Sequence, residues 1–246
     1  MENIAVVILT MNEEKNIAQA VENARRCAKE IVVIDSGSTD RTVELAEEMG
    51  AKVVARPLGG DFSAQRNFAL TQTTAKWVLY MDADERMNDE LIESIRTQDD
   101  RPAQYEIRRQ TVAFGQRCRG VLRSSPVARL FLRESVRWVN RVHEEPLCDL
   151  KKKRLDGCIV HYTYDSWDRY LEKFNSYTTL AAERYVDRGK RCRFFMDIVI
   201  KPFFAFWKVY LLRGGFRDGR LGWIASMNHA FYVMMKYVKL YYLKRP

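Results

Sequence analysis

The chain of 246 residues is poor in cysteine and has no long apolar run. Its five cysteines, Cys27, Cys118, Cys148, Cys158 and Cys192, are an odd number and form no C-x-x-C pair. A disulfide framework and a structural zinc site are therefore not expected, and a reducing compartment is. No stretch reaches about 18 uninterrupted apolar residues, so no simple transmembrane helix is expected. Met1-Glu2-Asn3 runs straight into a short apolar segment without a basic n-region, and no signal peptide is read there. Internal repeats and low-complexity segments are absent. With 47% hydrophobic and 30% charged residues, the chain has the composition of a folded protein. Its length suits one large domain, or one domain with an appendage.

The net charge of +9 is unevenly spread. Residues 1–100 hold 11 Lys and Arg against 19 Asp and Glu, a net of −8. Residues 101–150 hold 10 against 5, and all ten are arginine. Residues 151–246 hold 20 against 8, a net of +12. An acidic first half and a basic last third predict different tasks. The basic part calls for an anionic partner: a membrane, a nucleic acid or a phosphorylated substrate.

The first 82 residues alternate strand and helix. Ile4–Leu9, Ile31–Ile34, Lys52–Ala55 and Trp77–Met81 read as strands. Glu13–Cys27, a helix capped by Thr39 or Asp40, and Asp61–Leu70 read as the helices between them. This spacing predicts a doubly wound parallel α/β sheet, whose ligands sit at the carboxyl ends of the strands. Those ends are Thr10-Met11-Asn12-Glu13, Asp35-Ser36-Gly37-Ser38 and Asp82-Ala83-Asp84-Glu85. Residues 104–148 then read as β-rich. Trp167–Val186, Phe194–Leu212 and Leu221–Leu243 read as helices. The organisation expected is 1–100, an α/β part with a ligand site at its strand ends; 101–163, a β-rich part; and 164–246, a basic amphipathic helical region.

Two carboxylates at Asp82 and Asp84, on a turn leaving a buried strand, can face one hard cation such as Mg²⁺ or Mn²⁺. Taken alone, D-x-D is equally a solvated acidic loop. Asp35 can accept from a base ring or a ribose hydroxyl, whereas Asp40 reads as a helix cap.

Four motifs in order resemble family 2 glycosyltransferases: Thr10–Ile17, Val33–Asp40, Ala64-Gln65-Arg66-Asn67 and Met81–Glu85. The resemblance implies the GT-A fold, a nucleotide-sugar donor, a D-x-D metal and inversion at the anomeric carbon. Later segments are similar to the lipopolysaccharide core glucosyltransferase branch. They are Trp138, Val142-His143-Glu144, Ile159–Tyr164, Tyr170-Leu171, Asn175–Ala182, Lys201-Pro202, Gly215–Gly219 and the Phe231–Tyr237 region. One departure is Asp35-Ser36, where many members carry Asp-Asp. By this resemblance Thr10, Asn12, Glu13 and Asp35 hold the uridine, Arg66 contacts nucleotide or diphosphate, and Asp82 touches the ribose or a metal-bound water. Asp84 is the direct ligand of Mn²⁺ or Mg²⁺, with His161 or His143 as a candidate third ligand. An inverting displacement also needs a carboxylate base within reach of the acceptor hydroxyl. Glu144 is the first choice, ahead of Glu145 and Glu85.

Residues 194–212 interleave phenylalanine, tryptophan and tyrosine with Asp197, Lys201 and Lys208. Such a helix suits a bilayer interface, or alternatively the inside of a helical subdomain. The arginines of 101–141 suit phosphate and carboxylate groups, or are solvated strand faces. The leading expectation is transfer of glucose from UDP-glucose to a heptose of the lipopolysaccharide inner core. The enzyme would sit peripherally on the cytoplasmic face of the inner membrane. A polyprenyl-linked saccharide is the alternative acceptor. A non-catalytic nucleic-acid-binding protein is the reading from another class; the acidic strand ends oppose it by repelling phosphates, so no nucleic-acid partner is expected.

Overall fold

The computed structural model describes residues 3–121, 126–140, 144–164 and 166–243. The chain forms two compact units, residues 1–110 with 124–161, and residues 111–123 with 162–246. Segment 111–123, which the sequence places in its β-rich part, thus groups with the helices.

The first unit opens with β1 (Ile4–Thr10), α1 (Ile17–Arg25), β2 (Glu30–Asp35), α2 (Thr42–Glu48), β3 (Lys52–Ala55), α3 (Phe62–Leu70) and β4 (Trp77–Asp82). β2 and β4 flank β1 in parallel, and β3 extends the sheet beyond β2. β1 is apolar throughout because both its faces are covered. Ile4, Val6 and Ile8 pack with Ile17 and Val21 on one side, and Val7 packs with Val32, Ile34 and Val78 on the other. Each such side chain contributes about 1.5–3 kcal/mol when fully buried.

The parallel part ends at β4. A further parallel neighbour would need a long crossover. Instead, two residues, Ala83 and Asp84, lead to β5 (Glu85–Met87), then α4 (Asp89–Thr97), β6 (Gln104–Ala113), β7 (Gln116–Arg117) and β8 (Val127–Leu132). β8 pairs antiparallel with β4, and β6 with β8. After β9 (Arg137–Val139) and β10 (Glu145–Leu147), which pair with each other, comes the long β11 (Lys152–Thr163). The sheet order is β3-β2-β1-β4-β8-β6-β11-β5; the four strands expected to be parallel are so, and the antiparallel strands of the later β-rich segment make the whole sheet mixed. β5 was not expected from sequence. Three residues carry too little periodicity to read, and it exists only because β11 supplies an antiparallel partner.

The second unit holds α5 (Trp167–Asp187), a continuous helical stretch over 194–212 that includes α6 (Lys201–Trp207), and α7 (Gly219–Leu243). The turns before and after α6 are π-helical. Ala182, Tyr237 and Leu240 form the core between α5 and α7. Among the described residues, no helix is long and apolar enough to cross a membrane.

Candidate active site

The carboxyl ends of β1 and β2 are laced to each other. Thr10 pairs in register with Asp35. Asn12 takes a left-handed backbone (φ 54°). Its N–H donates to Ser38 Oγ at 2.8 Å, and its Oδ1 accepts from Thr39 N–H at 2.8 Å. Glu13 N–H donates to Thr42 Oγ1 at 2.7 Å. Asp35 is buried and turned onto its own loop. Its Oδ2 accepts the N–H groups of Gly37 and Ser38, both at 2.9 Å, so its first task is to shape the turn. Asp40, expected as a cap, lies one residue before the N-cap of α2, Arg41; it accepts from Thr42 N–H at 3.0 Å and Glu14 N–H at 3.2 Å and so ties the start of α2 to the β1 loop. Thr10 Oγ1 is buried without a protein partner among the described residues.

The turn after β4 is braced from below. Arg86 donates to the carbonyls of Ala83 and Glu85, each at 2.7 Å, and to that of Asn16 at 2.8 Å. Glu85 is 0% exposed. One of its oxygens accepts Asp82 N–H at 3.0 Å, and the other lies 3.0 Å from Arg109 Nε and 3.1 Å from Arg129 Nη2. Arg129 Nη2 also meets Asp82 Oδ2 at 3.2 Å. Burial pushes the Glu85 carboxyl up, with Arg129 and Arg109 pulling the other way. Desolvation would raise Asp82 too, but Arg129, Arg66 and Arg109 outweigh it and hold Asp82 well below the usual carboxylate range. Glu85 therefore has no open face for an acceptor hydroxyl, which removes it as an alternative base.

Asp61 caps α3 by accepting Ala64 N–H at 2.9 Å, and the helix turns Arg66 inward. Arg66 is 6% exposed. Its guanidinium lies 4.8 Å from the Trp138 ring centroid and 5.4 Å from that of Tyr80. Arg66 Nε and Nη2 both donate to Glu144 Oε1, at 3.2 and 3.1 Å, and Nη2 lies 3.6 Å from Asp82 Oδ1. Asn67 fixes the neighbouring strand by exchanging two 2.8 Å hydrogen bonds with the Trp138 backbone. One guanidinium thus links the base candidate to the first D-x-D carboxylate. Arg66, Arg129, Trp138 and Glu144 line a cavity of about 400 Å³. Arg66 Nη1 and Arg129 Nε are buried without protein partners among the described residues. Unmatched buried donors of this kind fit a site built for a polar ligand.

β11 runs antiparallel to β5 and sets His161 opposite Glu85. His161 Nε2 then lies 3.1 Å from Asp84 Oδ2. The structure thereby brings together two residues 77 positions apart in the chain. Among the described residues, no group of three His, Cys, Asp or Glu side chains converges on one point. The Asp84–His161 pair still fits a divalent cation, because Mg²⁺-type sites use one or two protein ligands and complete their shell with water and substrate phosphates. His143 lies outside the described residues.

A family model described as glycosyl transferase family 2 matches residues 5–136, more than half of the chain. The chain belongs to glycosyltransferase family 2. It is 31% identical to the lipopolysaccharide core biosynthesis glycosyltransferase LpsC of Rhizobium meliloti, over 97% of this chain and 92% of the relative. It is 29% identical to an uncharacterized glycosyltransferase of Rickettsia typhi, over 98% of this chain and 87% of the relative. A solved structure, glucosyl-3-phosphoglycerate synthase from Mycobacterium tuberculosis with Mn²⁺, UDP and glucosyl-3-phosphoglycerate, is 22% identical with a TM-score of 0.36. That match covers 45% of this chain and 44% of the other.

The chain is therefore a family 2 transferase with a mixed α/β architecture. The family motifs pointed to the acidic turn and to Arg66. They did not point to Arg129, Arg109 and Arg86, which hold that turn in place. One signal was available. Arg129 interrupts an apolar run, Val127-Ala128-Arg129-Leu130-Phe131-Leu132, and a charge inside a strand of that kind needs a buried partner.

Proposed function

We propose that this family 2 enzyme transfers glucose from UDP-glucose to a heptose of the lipopolysaccharide inner core, by a metal-dependent inverting displacement. The observation that carries the reading is the line Glu144–Arg66–Asp82, in which one buried guanidinium joins the base candidate to the D-x-D turn. The likeness to the core biosynthesis relative along almost the whole chain supports this choice of acceptor.

In this reading Thr10, Asn12, Glu13 and Asp35 shape the uridine pocket, and Thr10 Oγ1 has hydrogen-bonding capacity to spare. Arg66 Nη1 is free to donate to the diphosphate. Asp84 and His161 would hold Mn²⁺ or Mg²⁺, which when bound supplies positive charge to the departing diphosphate. Asp82 touches the ribose or a water beside it. Both Arg66 donors land on Glu144 Oε1, which leaves Oε2 to receive a proton. The acceptor oxygen forms its bond to C1 as the C1–O bond to the diphosphate breaks. The hydroxyl proton passes to Glu144, and UDP departs.

The enzyme is inferred to work peripherally on the cytoplasmic face of the inner membrane. In support, Phe204 is 64% and Leu212 83% exposed on the helical stretch of the second unit, whereas Phe206 and Val209 of the same stretch are buried. Exposed rings beside basic residues suit an anionic bilayer surface.

The test is nucleotide release from a panel of nucleotide sugars with Mn²⁺, with and without lipopolysaccharide core acceptor, beside Asp84→Asn and Glu144→Gln. Release from UDP-glucose that is lost in Asp84→Asn, with transfer lost and donor binding kept in Glu144→Gln, is the expected result. Turnover that both substitutions leave unchanged refutes the assignment. Transfer only to a polyprenyl-linked saccharide moves the acceptor to the alternative class.

A further inference from the structure

The second unit contains a half-open cavity of about 280 Å³ that the transfer chemistry above does not use. Its walls are aromatic and aliphatic. Phe114 stacks on Trp167 at 4.3 Å, Tyr170 packs edge-on against Trp167 at 5.4 Å, and Val209, Leu221 and Ala225 complete the lining. Of its lining residues, Trp167, Lys173, Tyr177 and Arg213 are exposed to solvent.

One wall is built rigidly. Asp218 is buried, and its carboxylate accepts the N–H groups of Gly120 at 3.0 Å and Val121 at 2.8 Å, together with that of Arg119. Gly120 sits so close to the 214–215 backbone that an added Cβ would fall 2.0 Å from the Gly214 carbonyl oxygen. This clamp holds Cys118 and Val121 in the lining.

The charge pattern is one-sided. Lys173 and Arg213 line the cavity, and no Asp or Glu does among the described residues. Burial, with the positive charges of Arg213, Lys236 and Lys208, presses His229 below its ordinary value, and it adds no acidic or anionic group to the lining. The other polar groups of the lining are Asn228, His229 and the hydroxyls of Tyr164, Tyr170, Tyr177 and Tyr232, which sit at the tips of otherwise apolar rings. The ring faces and the aliphatic side chains between them suit a hydrocarbon chain, and the two cations suit an anionic head.

We propose that this cavity binds the hydrocarbon chain of an anionic amphiphile, with Lys173 and Arg213 meeting its charged head. On the function proposed above, on which this assignment of a physiological ligand rests, the chain would be the lipid part of the acceptor.

The test uses full-length protein and calorimetry below the critical micelle concentration. The probes are dodecyl phosphate, dodecyl maltoside and inorganic phosphate. Dodecyl phosphate is expected to bind about tenfold or more tighter than either of the others. Ala225→Trp, which fills the cavity, is expected to weaken it by a similar factor, and the double substitution Lys173→Ala with Arg213→Ala to abolish the preference over dodecyl maltoside. Equal binding of dodecyl phosphate to wild type and Ala225→Trp overturns the proposal. So does inorganic phosphate binding as tightly as dodecyl phosphate. Should Ala225→Trp fail to fold by circular dichroism, brominated dodecyl phosphate decides. It should quench a component of the tryptophan fluorescence that Trp167→Phe lacks, and quenching unchanged in Trp167→Phe overturns the proposal. UDP-glucose turnover and its dependence on Asp84 are read separately, so a failure here is distinguishable from a failure of the proposed transfer.

Discussion

Replacing Arg129 by methionine tests the brace beneath the acidic turn. The change removes the guanidinium that lies 3.2 Å from Asp82 and 3.1 Å from Glu85. Glu85, fully buried, keeps only Arg109 as an ionic partner, and Asp82 keeps Arg66 at 3.6 Å. Removing one partner of a buried ion pair costs about 3–5 kcal/mol, because the charge left behind is uncompensated. For a chain of this size that is a fall in Tm of about 6–20 °C. The pH dependence has a defined sign. In the native protein Asp82 is held below its unfolded value, so its contribution is fully present above about pH 3.9 and is lost as pH falls through the native pKa. In the variant, both carboxylates lose a stabilising cation and their pKa values rise. Protonation then relieves the strain, so the deficit is greatest at pH 7 and shrinks towards pH 5. Urea denaturation followed by circular dichroism at the two pH values measures it. Adding Glu85→Gln to the variant should recover part of the loss. A deficit below about 1 kcal/mol at pH 7, or one independent of pH, would refute the reasoning.

Three other outcomes are expected. Arg66→Lys keeps the charge but loses the pair of hydrogen bonds to Glu144 and the stacking on Trp138, so denaturation should show a loss of about 1.5–3 kcal/mol, with transfer falling more than UDP affinity. Gly157→Ala should destabilise by about 2–4 kcal/mol in a thermal melt, because Gly157 has φ 86° and a Cβ there would lie 2.3 Å from the Leu91 nitrogen at the start of α4. Burial pushes the Cys27 thiol up to about 11, so at pH 8 iodoacetamide should modify it roughly a hundredfold more slowly than a free thiol; labelling at the free-thiol rate contradicts that environment.

Much of the first unit was legible in the sequence because local physics decides it. Strands buried on both faces must be apolar throughout, as Ile4–Leu9 and Trp77–Met81 are, and the intervening helices must carry an apolar stripe, as Ile17, Ala20, Val21 and Ala24 do. The polar strand ends then mark where a ligand sits. Asp35 shows the limit of that reading. Its position at the strand end was readable, but not that its carboxylate is committed to the N–H groups of Gly37 and Ser38.

The sequence by itself determined the alternating α/β order, the acidic turn at Asp82–Asp84 and the aromatic, basic character of the last third. Each is written in neighbouring residues and needs no distant partner. Only the tertiary structure decided which distant side chains meet. Arg66 reaches Glu144 across 78 positions, His161 reaches Asp84 across 77, and Arg129 reaches Asp82 across 47. Strand pairing sets those meetings. The antiparallel register of β11 on β5 and of β8 on β4 is chosen by burial of whole faces, a sum over many residues that no single motif carries.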